Sequence, residues 1–140
     1  MHILMADDDK DDFNVLVESA ELLEGTALEF SYASNWMAMQ RNLKKKQPDV
    51  IFLDLNMPIK DGFECLISLR QDHVYKEIPI IIYSTSTSKA DIDKAHRLGA
   101  NYFVIKPDTH EKVATLLKRI TAMTEQELQS KQAREKFVIA

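Results

Sequence analysis

The sequence of 140 residues has little cysteine, little glycine and no excess of basic charge. A single cysteine, Cys65, allows no disulfide within the chain, so we expect a reducing compartment and a cytoplasmic location. Three glycines are too few for a glycine-rich phosphate loop, which argues against a flavin or nucleotide carrier. The net charge of −4 lacks the basic stripe of a nucleic-acid binder. No apolar run approaches the roughly 18 residues that span a bilayer, so we expect no membrane partner.

Short apolar runs alternate along the chain with longer segments in which apolar residues recur at helical spacing. Strands that are apolar on both faces and joined by helices predict a parallel sheet covered by helices on both sides. We therefore expect a doubly wound α/β fold with five strands and five helices. The five predicted strands are residues 3–6, 28–33, 50–53, 80–83 and 102–105.

The length and composition fit one domain, which we place at residues 1–123, followed by a C-terminal extension at residues 124–140. The extension is polar as far as Lys136 and then turns apolar at Phe137, Val138 and Ile139. We expect it to continue the last helix, and the alternative is a frayed terminus.

Polar residues follow four of the five predicted strands. Acidic residues 7–9 follow the first strand, Asp54 the third, Ser84 the fourth and Lys106 the fifth. Right-handed crossovers bring the carboxyl ends of parallel strands to one edge of the sheet, where such folds bind their ligands. Each residue alone could be a helix cap or a loop residue, and only their joint placement predicts a site.

These residue types suit metal-assisted phosphoryl transfer. Clustered carboxylates repel one another and need a cation, and oxygen ligands favour a hard ion such as Mg²⁺. Lys106 supplies a positive charge for a phosphoryl oxygen, and the Ser84 hydroxyl can donate to another. Asp54 is a plausible nucleophile, because aspartate is a phosphoryl acceptor in other proteins. Positioning and charge neutralisation would then account for most of the catalysis.

Residues 3–9, 50–62, 78–86 and 98–107 resemble the response-regulator receiver family of two-component signalling, and the likeness extends to about residue 123. The resemblance is to receiver domains of the stand-alone, single-domain type. The resemblance implies a flavodoxin-like sheet with strand order 2-1-3-4-5. It implies a phosphoprotein of a phosphorelay, not an enzyme, whose partners are a sensor histidine kinase or a histidine phosphotransfer protein. Its signal would leave through a downstream protein partner or a homodimer.

The resemblance also implies roles for the acidic residues. Asp54 matches the phosphorylated aspartate of the family. Asp8 and Asp54 match direct Mg²⁺ ligands, Asn56 matches the residue that offers its main-chain carbonyl, and Asp7 matches the supporting acid of the metal site.

Further roles follow from the same resemblance. Ser84 and Lys106 match the residues that bind the phosphoryl group, and Ser84 with Phe103 matches a conformational switch pair. Pro107 matches a proline whose preceding peptide bond is usually cis. Ser86 matches a residue that flanks the approach of water to the phosphoaspartate. The switch pair would act on a surface formed by the fourth helix, the fifth strand and the fifth helix.

The main alternative is an enzyme, a haloacid-dehalogenase-like phosphatase with an aspartyl-phosphate intermediate. Such phosphatases require a second aspartate two residues after the nucleophile, and in this sequence that residue is Asn56. A second alternative is a receiver-like scaffold without phosphorylation, against which the intact set of acids, Ser84 and Lys106 argues.

Overall fold

The computed structural model describes residues 1–139, and in that part of the chain apolar strands and capped helices alternate. The strands are β1 (His2–Ala6), β2 (Glu29–Ala33), β3 (Val50–Leu53), β4 (Ile80–Ser84), β5 (Tyr102–Ile105) and β6 (Val138–Ile139). The helices are α1 (Lys10–Ala20), α2 (Trp36–Lys45), α3 (Gly62–Gln71), α4 (Lys89–Arg97), α5 (His110–Thr121), α6 (Glu125–Gln129) and α7 (Arg134–Phe137).

Side-chain caps begin each of the five longer helices. The capping oxygen accepts a backbone N–H of the first turn, which satisfies a donor that has no partner within the helix. At α3, Asp61 and Glu64 form a reciprocal capping box, because each side chain accepts the other residue's backbone N–H. The caps of α1 to α5 are Asp9, Asn35, Asp61, Ser88 and Thr109.

The strands form one parallel sheet in the order β2-β1-β3-β4-β5-β6. The first five strands have the predicted order, so the expected doubly wound α/β fold is confirmed. Within residues 1–139, the expected five strands and five helices are corrected to six and seven, because α6, α7 and β6 follow α5 and β6 pairs with the outer edge of β5.

Alternate strand residues face two separate apolar layers, as the two-residue period of a strand requires. One layer packs the sheet against α2, α3 and α4, and the other packs it against α1 and α5. All four residues of β3 are buried, and each fully buried aliphatic side chain stabilises the fold by about 1.5–3 kcal/mol. Within residues 1–139, no helix is both long enough and apolar enough to cross a bilayer.

The expectation that the extension continues the last helix is wrong. Helix α5 ends at Thr121, and the chain becomes extended at Thr124, where φ is −70° and ψ is 160°. Two short helices and β6 follow, and they bury Leu128, Phe137 and Ile139. Burial of these three apolar side chains explains the turn, because a continued helix would carry them away from the sheet.

Candidate functional site

Acidic side chains meet where β1 and β3 end. The two strands are paired so that Ala6 lies opposite Leu53, and the Asp54 N–H donates to the Ala6 carbonyl at 2.9 Å. One carboxylate oxygen from each of Asp7, Asp8 and Asp54 lies within 4.8 Å of the others. The structure therefore brings together the three acids that the sequence predicts as a metal site.

Burial makes this cluster electrostatically demanding. Asp7 is completely buried and Asp54 is 5% exposed, whereas Asp8 faces solvent. Burial, followed by the charge of Asp7, raises the pKa of Asp54 to about 7, although Lys106 and the Asn56 N–H oppose the rise. Burial likewise raises the pKa of Asp7 against the hydrogen bond from Lys106. Two buried carboxylates with raised pKa values, beside the exposed Asp8, are an arrangement that suits a hard divalent cation, because the cation would neutralise them.

Lys106 contacts several of the acids across the sheet edge. Its Nζ lies 2.8 Å from Asp7 Oδ2, 2.7 Å from Asp12 Oδ2 and 3.8 Å from Asp54 Oδ2. Burial lowers the pKa of Lys106, but the hydrogen bonds to Asp12 and Asp7 outweigh this and raise the pKa above its usual range. The ammonium group is therefore charged. It lies near Asp54 but is closer to Asp7 and Asp12.

Sequence reasoning missed Asp12, which lies in the first turn of α1. In the sequence this residue reads as an ordinary acid that favours a helix N-terminus. A usable signal was its distance of four residues from Asp8, since a helix that starts at a sheet edge carries its first-turn side chains back to that edge.

Ser84 and Ser86 lie at the end of β4, on the strand next to β3. Ser84 is completely buried, and its Oγ accepts the Ser86 N–H at 3.2 Å. The Ser86 hydroxyl donates to Asp91 Oδ2 at 2.7 Å, so it is already engaged with α4. The Ser84 carbonyl accepts the Lys106 N–H at 2.8 Å, which ties the two predicted phosphoryl-binding residues together through the backbone.

Two further predicted residues, Asn56 and Phe103, lie in different surroundings. Asn56 is exposed in the loop after β3. Phe103 is completely buried in β5, with its ring centroid 6.2 Å from that of Phe137.

The expectation of a cis bond before Pro107 is wrong, because residues 1–139 contain no cis peptide bond. The Lys106–Pro107 bond is trans, the form that the X–Pro linkage prefers by about 0.5–1 kcal/mol unless its surroundings select the other.

Gly62 lets the loop after β3, residues 54–61, close onto the start of α3. Its N–H donates to the Leu55 carbonyl at 2.9 Å. A Cβ at this position would lie 2.2 Å from the Asp54 carbonyl oxygen and 2.7 Å from the Leu55 Cα, both of them backbone atoms. The site therefore needs a residue without a side chain here, for space rather than for an unusual φ.

A doubly wound sheet with three acids and a lysine at its carboxyl edge is the arrangement of a receiver domain. The family described as response regulator receiver domain matches residues 3–120. The chain belongs to the response regulator receiver family.

Two curated relatives illustrate the range of the family. The chain is 31% identical over 121 residues to the transcriptional regulatory protein PrrA of Mycobacterium leprae, covering 86% of this chain and 48% of PrrA. It is 35% identical over 74 residues to the chemotaxis protein CheY1 of Helicobacter pylori, covering 53% of this chain and 57% of CheY1. The chain thus spans about half the length of the curated relatives that it matches.

Two solved structures agree with the fold. The Mn²⁺-bound form of the response regulator Rcp1 is 25% identical with a TM-score of 0.73, over 86% of this chain and 91% of that one. The phosphorylated cyanobacterial phytochrome response regulator RcpA is 28% identical with a TM-score of 0.75, over 85% of this chain and 89% of that one. The comparisons give no support to the phosphatase alternative.

Proposed function

We propose that this receiver domain accepts a phosphoryl group on Asp54 in a Mg²⁺-dependent reaction and passes the signal on through its surface. The observation that carries the proposal is the convergence of Asp7, Asp8 and Asp54 with the Lys106 ammonium at one sheet edge. The donor would be a sensor histidine kinase or a histidine phosphotransfer protein, as membership of the family implies.

Asp7, Asp8 and Asp54 would hold the cation, together with the Asn56 main-chain carbonyl. Mg²⁺ would neutralise the charge that gathers on the acids and the incoming phosphoryl oxygens. The Mn²⁺ of the Rcp1 structure belongs to that protein, and its presence supports a divalent ion here without selecting Mg²⁺.

The acceptor is an Asp54 carboxylate oxygen, which forms a bond to phosphorus as the bond to the donor nitrogen breaks. The donor imidazole leaves with its electron pair and takes a proton from solvent. Lys106 would move the short distance from Asp12 towards the new phosphoryl oxygens, and the Ser84 hydroxyl would donate to another of them. Both contacts form only as negative charge builds up on the phosphoryl group beside Asp54. They therefore stabilise the transferred phosphoryl group more than the unphosphorylated site.

The residue two positions after Asp54 favours a signalling role over a phosphatase activity. Asn56 stands where a phosphatase of the haloacid-dehalogenase type needs its second aspartate, so we propose that the phosphoaspartate persists as a signal. The cytoplasmic location expected from the sequence stays a prediction.

Intact-mass measurement after incubation with acetyl phosphate tests the proposal. The unaltered protein should gain one phosphoryl group in the presence of Mg²⁺ and none with excess chelator. Asp54→Asn should abolish the gain, whereas Asp11→Asn, which alters an exposed carboxylate on nearby α1, should not. Repeating the reaction with Mn²⁺ measures the preference between the two ions. Labelling that survives Asp54→Asn or chelation would refute the proposal, and rapid release of free phosphate from simple esters would revive the phosphatase alternative.

A further inference from the structure

The last described residues of the chain lie on the surface formed by α4 and β5, which we call the α4–β5 surface. The segment consists of residues 132–139 and includes α7 and β6. It follows residues 130 and 131, which belong to no helix or strand. We call residues 132–139 the tail segment.

Polar contacts fix the start of the tail segment to α4. Arg134 Nε donates to Asp93 Oδ1 at 2.6 Å, and this contact holds the pKa of Asp93 below its usual range. His96 Nε2 lies 2.7 Å from the Gln132 carbonyl oxygen. Because a carbonyl can only accept, Nε2 must carry the hydrogen in this contact.

Apolar contacts hold its end. Phe137 is completely buried, with its ring centroid 5.0 Å from that of His96 and 6.2 Å from that of Phe103. Val138 pairs with Phe103, and Ile139 pairs with Val104. The contacts of the α4–β5 surface therefore match a segment with a basic residue, an aromatic residue three positions later, and then two β-branched residues that pair as a parallel strand.

The tail segment is held by a small number of contacts near the end of the described chain. Its strand has two residues, and such short pairings are marginal without side-chain burial. Its apolar contact comes from Phe137 and Ile139, which are buried, and from Val138, which is half-buried. Segments with few buried contacts open at a fraction of the free energy of global unfolding.

Phe103 connects this surface to the acid cluster. It lies opposite Ile82 of β4 on one side and opposite Val138 of β6 on the other. Ser84 is two residues beyond Ile82 on the same strand. Because the interior is close-packed, Phe103 cannot change its rotamer without disturbing Phe137, which packs against the same cluster.

We propose that the α4–β5 surface is a peptide-docking surface and that the tail segment is its intramolecular ligand, loosened when Phe103 repacks after phosphorylation. The inference rests on the proposed function of Asp54. The external ligand of the freed surface is an extended peptide with the pattern of the tail segment, a basic residue followed by an aromatic and β-branched pair.

A second groove lies beside the docked segment and remains open. It has a volume of about 730 Å³ and runs between β5 and α5, lined in part by Ile105, Pro107, Leu116, Arg119 and Ile139. A partner could bind in this groove without any movement of the tail segment. Binding there is the alternative that the experiments below distinguish from release of the tail segment.

Hydrogen–deuterium exchange of the full chain, with and without beryllofluoride and Mg²⁺, is the first measurement. We expect faster exchange in residues 132–139 on activation, together with slower exchange in the loops at residues 54–60 and 84–88. Asp54→Asn should remove both effects. Changes in the loops without any change in the tail segment would overturn the inference and leave the proposed function standing. No change in either region would count against the proposed function, and the inference would fall with it.

Binding of a fluorescent peptide spanning residues 131–140 is the second measurement. A tethered segment competes at an effective concentration in the millimolar range, so we expect weak binding to the resting protein. Activation should tighten binding by about tenfold or more, and the same peptide carrying Phe137→Ala should not bind. In the protein, Phe137→Ala should allow peptide binding without activation, and Arg134→Ala provides a milder variant should that protein fail to fold. Equal binding by both forms of the protein would refute release of the tail segment.

Sedimentation of the activated protein distinguishes the source of the external ligand. Self-association that the free peptide abolishes identifies the tail segment of a second copy as the ligand and supports the docking surface. Self-association that the peptide leaves unchanged places the contact elsewhere, with the groove beside α5 as the site, and counts against the proposed surface.

Discussion

Lys106 is bonded to Asp12 more closely than to the proposed phosphoacceptor. Its Nζ lies 2.7 Å from Asp12 Oδ2 and 3.8 Å from Asp54 Oδ2. Asp12 and Asp54 therefore compete for one ammonium group, and phosphorylation would shift it from the first to the second. Removal of the Asp12 carboxylate should therefore free Lys106 to contact the phosphoryl group on Asp54.

We predict that Asp12→Asn lets the activated state form more readily. The side chain of Asp12 is 34% exposed, so solvent screens the pair and its loss should change affinity by about two- to fivefold. Beryllofluoride affinity, measured by calorimetry, should rise. Asp11→Asn in the same turn is the matched control and should leave the affinity unchanged. Equal or weaker binding by Asp12→Asn would show that Asp12 supports the active geometry instead of opposing it.

Mg²⁺ affinity should depend on pH near neutrality. Without metal the pKa of Asp54 is raised to about 7, and the cation binds the ionised form. The carboxylate is mostly ionised one pH unit above this value and mostly protonated one unit below it. Apparent affinity should therefore fall by about tenfold as the pH drops across that window. Calorimetric titrations at several pH values would measure it, and Asp54→Asn should flatten the profile. A flat profile in the unaltered protein would contradict the raised pKa.

Gly62→Ala should distort the loop after β3, which carries Asp54 and Leu55. Its new methyl group would meet the Asp54 carbonyl oxygen at 2.2 Å, so the backbone must move at a cost of about 1–3 kcal/mol. We expect lower stability in urea denaturation and a clear loss of phosphorylation. Gly25→Ala provides the control, since φ is +70° there but no atom lies within 4 Å of the added Cβ. That variant should lose about 1–2 kcal/mol of stability and keep its phosphorylation rate.

Ser86→Tyr should slow loss of the phosphoryl group several-fold. The larger side chain would narrow the approach of water to the phosphoaspartate. The substitution also breaks the hydrogen bond from Ser86 to Asp91, so Asp91→Asn is the control that weakens this bond without adding bulk. Decay of the phosphorylated protein, followed by intact mass, gives the rates. Equal slowing in both variants would assign the effect to the hydrogen bond and not to access of water.

The fold could be read from the sequence because its signals are local. The predicted strands at residues 50–53 and 102–105 coincide with β3 and β5, and the other three differ by one residue at an end. A run that is apolar on both faces is visible without knowledge of its neighbours. The two-residue strand β6 gives no such signal, since it is too short to show a period.

The sequence alone determined the strand ends at which Asp7, Asp8, Asp54, Ser84 and Lys106 lie, because position along an apolar run fixes the edge of the sheet that each residue reaches. Only the tertiary structure decided which of these residues touch. The partnership of Lys106 with Asp12 joins residues 94 positions apart, and no periodicity encodes it. The trans bond before Pro107, the space required at Gly62 and the docking of Phe137 beside Phe103 were likewise decided by packing. Packing depends on shapes that meet only after the chain has folded.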